Sequence, residues 1–251
     1  MKDGAQTKTI LRALAGETLP TPPNYDFDAA AAGIAKLGQL APLDANALEG
    51  PGLQLLLRFK PGASPPPSVL VYWPEDKSLK ARPIIDHRNG DFTENLIVGQ
   101  RGAHLSLRNS DDVGHTIYVK DKRQGVNWRL SYMPPQSRFE QELFWDEGVF
   151  VELRCRLHEY MSAWAGSISS RYHKILSLDE EDSSLRFSMQ DYPENFSQVK
   201  IWMPNFKPIQ TQIRSGETQR FNLKRGAQIW GELIIRRSPR DQGAPKRSPG
   251  S

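Results

Sequence analysis

From Leu53 onward apolar and polar residues alternate one by one, the period of a strand with one face buried. LQLLLRF (53–59) sets Leu53, Leu55, Leu57 and Phe59 on one face, and SVLVYW (68–73) follows a Pro-rich turn. AHLSLRN (103–109) opposes Ala103, Leu105 and Leu107 to His104, Ser106 and Arg108. HTIYVK (115–120) comes next, then VFVELRC (149–155), with Val149, Val151, Leu153 and Cys155 on one side. LRFSMQ (185–190), QVKIWM (198–203), RFNL (220–223) and AQIWGELIIRR (227–237) complete the series. Many short strands, turn residues between them and no sustained helical period after residue 50 predict an all-β sandwich or barrel.

The first 50 residues follow a different rule. TKTILRALAG has Ile10, Leu11 and Leu14 at helical spacing before LPTPPN breaks the run. DFDAAAAGIAKLGQL offers an Asp start, an alanine run and Gly38 near its stop, a second short helix. Residues 1–50 therefore read as a partly helical extension. At the other end, Pro, Gly, Ser and charge dominate 238–251, which reads as a disordered basic tail.

Charge changes little. The net +4 invites a nucleic-acid reading, but RRSPRDQGAPKRSPGS (236–251) carries Arg236, Arg237, Arg240, Lys246 and Arg247 against Asp241, which is the whole excess. The rest is near neutral and offers nucleic acid no basic face. With 38% of its 251 residues hydrophobic the chain can bury a real core. No apolar run approaches the roughly 20 residues of a membrane span, and MKDGAQTK does not open a basic-then-apolar leader.

Candidate chemistry centres on the only cysteine, in VELRCRLHEYMSAWAG (151–166). Alone, a cysteine ending an apolar strand is a small core residue. Here His158 follows three residues later and Met161 three after that. If the strand ends at Cys155 and the chain turns back at once, thiolate, imidazole and thioether approach one point. Two histidines and a cysteine with a weak axial methionine is the donor set that suits copper in electron transfer. The second imidazole must come from His87, His104, His115 or His173. His115 is the best placed, because RNSDDVGHTIYV puts it after an Asp/Gly turn, at the head of a strand that can lie beside the one ending at Cys155. His104 sits mid-strand on the polar face, His87 falls in the loop-like DHRNG, and His173 lies beyond the site. The acidic run DEED (179–182) reads as a solvated turn. No Gly-rich phosphate loop and no pair of zinc-binding cysteines exist, and Cys155 with His158 on one tight loop lacks the parts of a hydrolase. The expectation is a protein that is not an enzyme.

These residues carry a family resemblance. NSDDVGHTIYV, followed some 40 residues on by VELRCRLHEYMSAWAGSI, resembles the cupredoxins, and within them bacterial methylamine-utilisation or plastocyanin-like proteins. The preceding IIDHRNGDFTENLIVGQRGAHLSLRNSD is similar to the segment before the first ligand in that group, and Asn109 and Asp111, which would hold the first ligand loop, are retained. The sequence departs from the pattern at Glu159 (commonly Pro), at Ala163 (commonly Gly) and at Thr116 and Ile117 after His115 (commonly Asn and Val). Downstream, RYHKILSLDEEDSSLRFSMQDYPENFSQVKIWMPNF resembles a transthyretin-like or carboxypeptidase-regulatory-like module, with Asp179, Phe187, Pro193 and Trp202 in register.

The resemblance implies a Greek-key cupredoxin β-sandwich over 51–168 and a smaller C-terminal β-sandwich module over 169–237. It implies one copper ion per chain on His115, Cys155, His158 and Met161. The implied role is a one-electron carrier, exported or periplasmic, working with a redox partner protein. Two other roles stay open: copper handling without redox work, and a metal-free cupredoxin frame that binds other proteins in an assembly.

Overall fold

The computed structural model describes Asp44 and residues 48–121, 124–130 and 132–239. The two helices expected in the first 50 residues, and nearly all of the expected tail, lie outside these residues. Among the described residues there is no helix, and so none long and apolar enough to cross a membrane. Seventeen strands of the described residues form four sheets.

Alternation explains how the sheets pair. The outermost sheet holds β13 (Ser184–Met189), β1 (Gly52–Phe59), β17 (Gln228–Ser238) and β16 (Thr218–Arg225), in that order. It shares a core with the sheet of β12 (His173–Ser177), β2 (Ser68–Tyr72), β14 (Gln198–Trp202) and β15 (Ile209–Gln212). Leu53, Leu55, Leu57 and Phe59 from β1 meet Val69 and Val71 from β2 and Val199 and Ile201 from β14 in that core.

The second sandwich carries the candidate site. One sheet runs β5 (Leu96–Gly99), β11 (Ser162–Ser167), β10 (Phe150–Cys155), β7 (Ile117–Asp121), β8 (Val126–Arg129). The facing sheet runs β4 (Asp91–Phe92), β3 (Ile84–Arg88), β6 (His104–Asn109), β9 (Ser137–Glu142). Leu105 and Leu107 face Val151, Leu153 and Cys155 across its core.

The two sandwiches join through outward faces. Leu70, Tyr72 and Trp202 on one side and Leu96, Val98 and Phe150 on the other form a third apolar cluster. Phe150 stacks on Trp202 with ring centroids 4.1 Å apart and planes 13° apart, and Trp164 meets Trp202 edge-on. Gly166 is what allows Phe150 its place: a Cβ there would lie 2.3 Å from the Phe150 ring.

Strand pairing departs from the division expected at residue 168. β1 pairs with β13 and β17, and β2 pairs with β12 and β14. The N-terminal strands therefore belong with the C-terminal segment, and the site-bearing sandwich, β3 to β11, is inserted between β2 and β12. Alternation reports which face of a strand is buried and carries no information about which sheet it joins. Arg237, the last residue of the strand expected over 227–237, is 6% exposed in β17. Its guanidinium lies beside the Trp73 and Tyr192 rings and donates to the carbonyls of Glu194, Phe196 and Ile213.

Candidate metal centre

Three elements bring the donors together. β10 ends at Cys155, which points inward and is 2% exposed. It pairs antiparallel with β7, Cys155 opposite Ile117, so the residues just before β7 lie beside the end of β10. The chain then turns back: Met161 N donates to the His158 carbonyl at 3.1 Å, and β11 returns along β10 from Ser162. The adjacency expected from sequence between the His115 and Cys155 strands is present. His115 itself stands ahead of β7, in a lone bridge with Met133 whose two backbone hydrogen bonds are 3.0 and 2.8 Å.

The donor atoms form a compact triangle. Cys155 Sγ lies 3.6 Å from His115 Nδ1 and 3.6 Å from His158 Nδ1, and the two nitrogens are 3.2 Å apart. The point in their plane equidistant from all three lies about 2.0 Å from each, which matches the ~2.0–2.3 Å bonds that imidazole nitrogen and thiolate make to a first-row ion. Among the described residues this is the one cluster of three or more histidine, cysteine or carboxylate groups with metal-binding spacing. His115 is fully buried and His158 half-buried, so solvent reaches the centre from the His158 side. Met161 is fully buried in the same apolar cluster as Cys155.

The loop before β7 is fastened by two side chains. His115 Nε2 lies 3.0 Å from Asp111 Oδ2, so the ring donates there and presents the Nδ1 lone pair to Cys155 and His158. The same carboxylate oxygen accepts from Gly90 N at 3.1 Å. Asn109 is 1% exposed; its Nδ2 sits 2.8, 2.9 and 3.2 Å from the carbonyls of Pro134, Val113 and Met133, and its Oδ1 accepts from Asp111 N at 3.0 Å. Burial pushes the His115 imidazole below its usual pKa, against the opposing pull of Asp111. A neutral ring is the form that can bind a metal.

Sequence reasoning passed over His87. It lies in β3, fully buried, with its ring stacked on His115 at 4.8 Å between centroids and 29° between planes, and with Phe92 on it at 4.8 Å. Asp86, Asp111 and a backbone hydrogen bond with Arg108 all act on the ring. Burial first, and His115 second, lower its pKa to about 4. The signal was present in IIDHR, where Ile85 and His87 share a face two residues apart. His104 is exposed on β6 and His173 lies on β12 in the other sandwich, as their exclusion required.

Around the half-buried edge of the site four large apolar side chains are exposed among the charged Asp112, Arg156 and Glu159. Leu157 and Tyr160 are 57% and 70% exposed on the turn that carries His158. Val113 and Tyr132 are exposed on the His115 side, where Tyr132 covers Gly114 so closely that a Cβ there would meet its hydroxyl at 2.1 Å.

No protein-family model matches the chain, and no curated protein matches it. Solved structures do. A purple cupredoxin from Nitrosopumilus maritimus is 17% identical over 34% of this chain and 98% of its own, with a TM-score of 0.29. Amicyanin from Paracoccus versutus is 10% identical over 37% of this chain and 98% of its own, with a TM-score of 0.30. The Cu-containing nitrite reductase NirK from Thermus scotoductus SA-01 is 13% identical over 34% of this chain and 22% of its own, with a TM-score of 0.30. The described residues are all-β, and the solved structures to which the chain is similar include one cupredoxin and one copper-containing reductase by name.

Proposed function

We propose that the chain would hold one copper ion on His115, Cys155 and His158, with Met161 as a further, weaker ligand, and would carry single electrons. The observation behind this reading is the triangle of one thiol and two imidazole nitrogens with sides of 3.6, 3.6 and 3.2 Å. The donor set fits the ion: a soft thiolate and two imidazoles suit copper, and burial of the sulfur beside a rigid sheet suits a site that rearranges little between oxidation states. When bound, copper supplies a reversible one-electron couple.

The residues divide the remaining work. Asp111 fixes the His115 tautomer, and Asn109 holds the loop on which both stand. The β10–β7 ladder keeps Cys155 beside that loop. His158 is the half-exposed ligand, and the exposed Leu157, Tyr160, Val113 and Tyr132, with the charged Asp112, Arg156 and Glu159 among them, give a redox partner protein a place to dock. An exported location accompanies this reading.

The test is loading with Cu(II), followed by metal stoichiometry and a visible spectrum, on the wild-type chain and on Cys155→Ser. One copper per chain and an intense thiolate-to-copper charge-transfer band, lost in the variant, are expected. Exchangeable Cu(I) with no coloured oxidised form would replace electron transfer by copper handling. Equal failure of both proteins to bind would refute the metal reading and leave a frame for protein binding.

A further inference from the structure

The outward face of the site-bearing sheet is covered at one end only, where Leu96, Val98 and Phe150 pack on the other sandwich. Away from that contact, β7, β10 and β11 bring Tyr118, Lys120, Glu152, Arg154 and Trp164 to a cavity of about 440 Å³. Asp121 lines it too, and so does Asn205, from the turn between β14 and β15 of the other sandwich. A second cavity of about 430 Å³ shares Asp121, Trp164 and Asn205 with the first and extends to Trp202 and Phe206. The two form one cleft with two lobes at the junction of the sandwiches, each lobe within the ~300–1,000 Å³ that small-molecule sites occupy.

The lining narrows what fits. The first lobe carries two charges of each sign, Lys120 and Arg154 against Asp121 and Glu152, so it draws in neither an anion nor a cation by net charge; the second lobe adds Lys207. Glu152 already holds Arg154 through two contacts, 3.0 Å to Nε and 3.2 Å to Nη2, and Tyr118 shares a hydrogen bond with the same guanidinium. A wholly apolar ligand would strip water from these charged groups without replacing it. A peptide cannot add as a strand, because β7, β10 and β11 are each paired on both sides within their sheet.

An uncharged molecule with many hydroxyls and a flat apolar face meets each condition. Tyr118 and Trp164 present half-buried rings on which such a face can lie. Around them, Lys120 donates, Asp121 accepts and the Asn205 amide does both, which matches hydroxyls that also do both. Asn205 is exposed and stands at φ 64°, so the conformation of the turn rather than packing sets its position beside the rings.

We propose that this cleft binds a segment of a neutral oligosaccharide, with sugar rings stacked on Tyr118 and Trp164 and hydroxyls shared among Asn205, Asp121 and Lys120. The site is separate from the metal centre and does not depend on the copper reading.

Calorimetric titration of the full metal-free chain with cellotetraose, maltotetraose, mannotetraose and N-acetylchitotetraose tests it. Saturable binding of at least one of these sugars, one per chain, is expected. Two variants then locate the site. Tyr118→Ala removes a ring, and Asn205→Gly removes the amide while leaving a residue at ease at positive φ. Thermal melts establish that both are folded, and each should bind the sugar about tenfold more weakly. Undiminished affinity in both variants would put the sugar elsewhere and overturn the proposal. Failure of all four sugars to bind would overturn it as well, and binding of heparin alone would replace it with a site for an anionic chain. None of these results bears on the copper test, which reads Cys155.

Discussion

Replacing Asn109 by alanine asks how much of the site is held by one amide. The side chain is 1% exposed, and its Nδ2 has three carbonyls within hydrogen-bond distance, of Pro134, Val113 and Met133. An amide nitrogen carries two hydrogens, so two full donations are counted, and Oδ1 accepts a third bond from Asp111 N. The Met133 carbonyl keeps His115 N and the Pro134 carbonyl keeps the Ser137 hydroxyl, so alanine leaves the Val113 carbonyl and Asp111 N unpaired. At about 1–1.5 kcal/mol for each group the loss is about 2–3 kcal/mol. For a folded body of roughly 190 residues, 1 kcal/mol corresponds to about 2–4 °C, so the melting temperature should fall by roughly 4–12 °C. The assay is a thermal melt of the metal-free protein followed by far-ultraviolet circular dichroism, paired with a Co(II) titration at a temperature where the variant is folded. Metal affinity should fall as well, since Asp111 loses the bond that fixes its backbone and His115 loses a steady partner. A drop of less than about 1 kcal/mol would refute the claim that Asn109 fastens the loop.

Three further outcomes follow from the same structure. Asp111→Ala removes the acceptor for His115 Nε2 and should weaken metal binding by about 10–100-fold in a chelator competition, with unchanged affinity as the contrary result. The metal-free protein should lose stability in acid: His87 titrates at about 4 when folded against about 6.5 unfolded, so its contribution is complete above pH 6.5 and is lost as pH falls toward 4, about 3 kcal/mol in all. Burial lowers His115 and His173 in the same direction, and a melting temperature constant from pH 7 to 4.5 would count against the reasoning. Gly166→Ala places a methyl against the Phe150 ring and should cost about 1–3 kcal/mol by urea unfolding, with Trp202 fluorescence altered as its stacked partner moves; wild-type stability would contradict that packing.

What the sequence disclosed follows from what alternation can encode. The nine segments read as strands all contain strands, because each repeats an apolar residue at every second position, Leu53 to Phe59 and Val151 to Cys155 being the clearest. β11 escaped notice because SAWAGS turns only alanines toward the core, and small residues make a faint pattern. β9, SRFEQE, was missed as a polar strand with one large apolar residue. The convergence of His115, Cys155 and His158 was legible because Cys155 and His158 share one turn and His115 precedes a recognisable strand. His87 was not, since the Asn and Gly after DHR look like loop and conceal the Ile85–His87 spacing. Nor was the partnership of β1 with β17: it spans most of the chain, and a strand's local sequence does not name its neighbour.

That partnership also sets an order of events on the ribosome. β1 and β2 emerge first, yet their ladders need β12, β13, β14 and β17, all made after the whole metal-site sandwich. Each pairing closes a loop that contains that sandwich, and such distant contacts form slowly in a free chain. The inserted sandwich has all its ladders among β3 to β11, so it can complete itself while its host is half translated. Its ends then enter and leave beside one another, because His173 pairs with Tyr72 across the base of the insertion. Once folded, the insert does for β2 and β12 what a tight turn does in a hairpin, and the vector of synthesis makes the half that bears His115, Cys155 and His158 the nucleus on which the outer half is built.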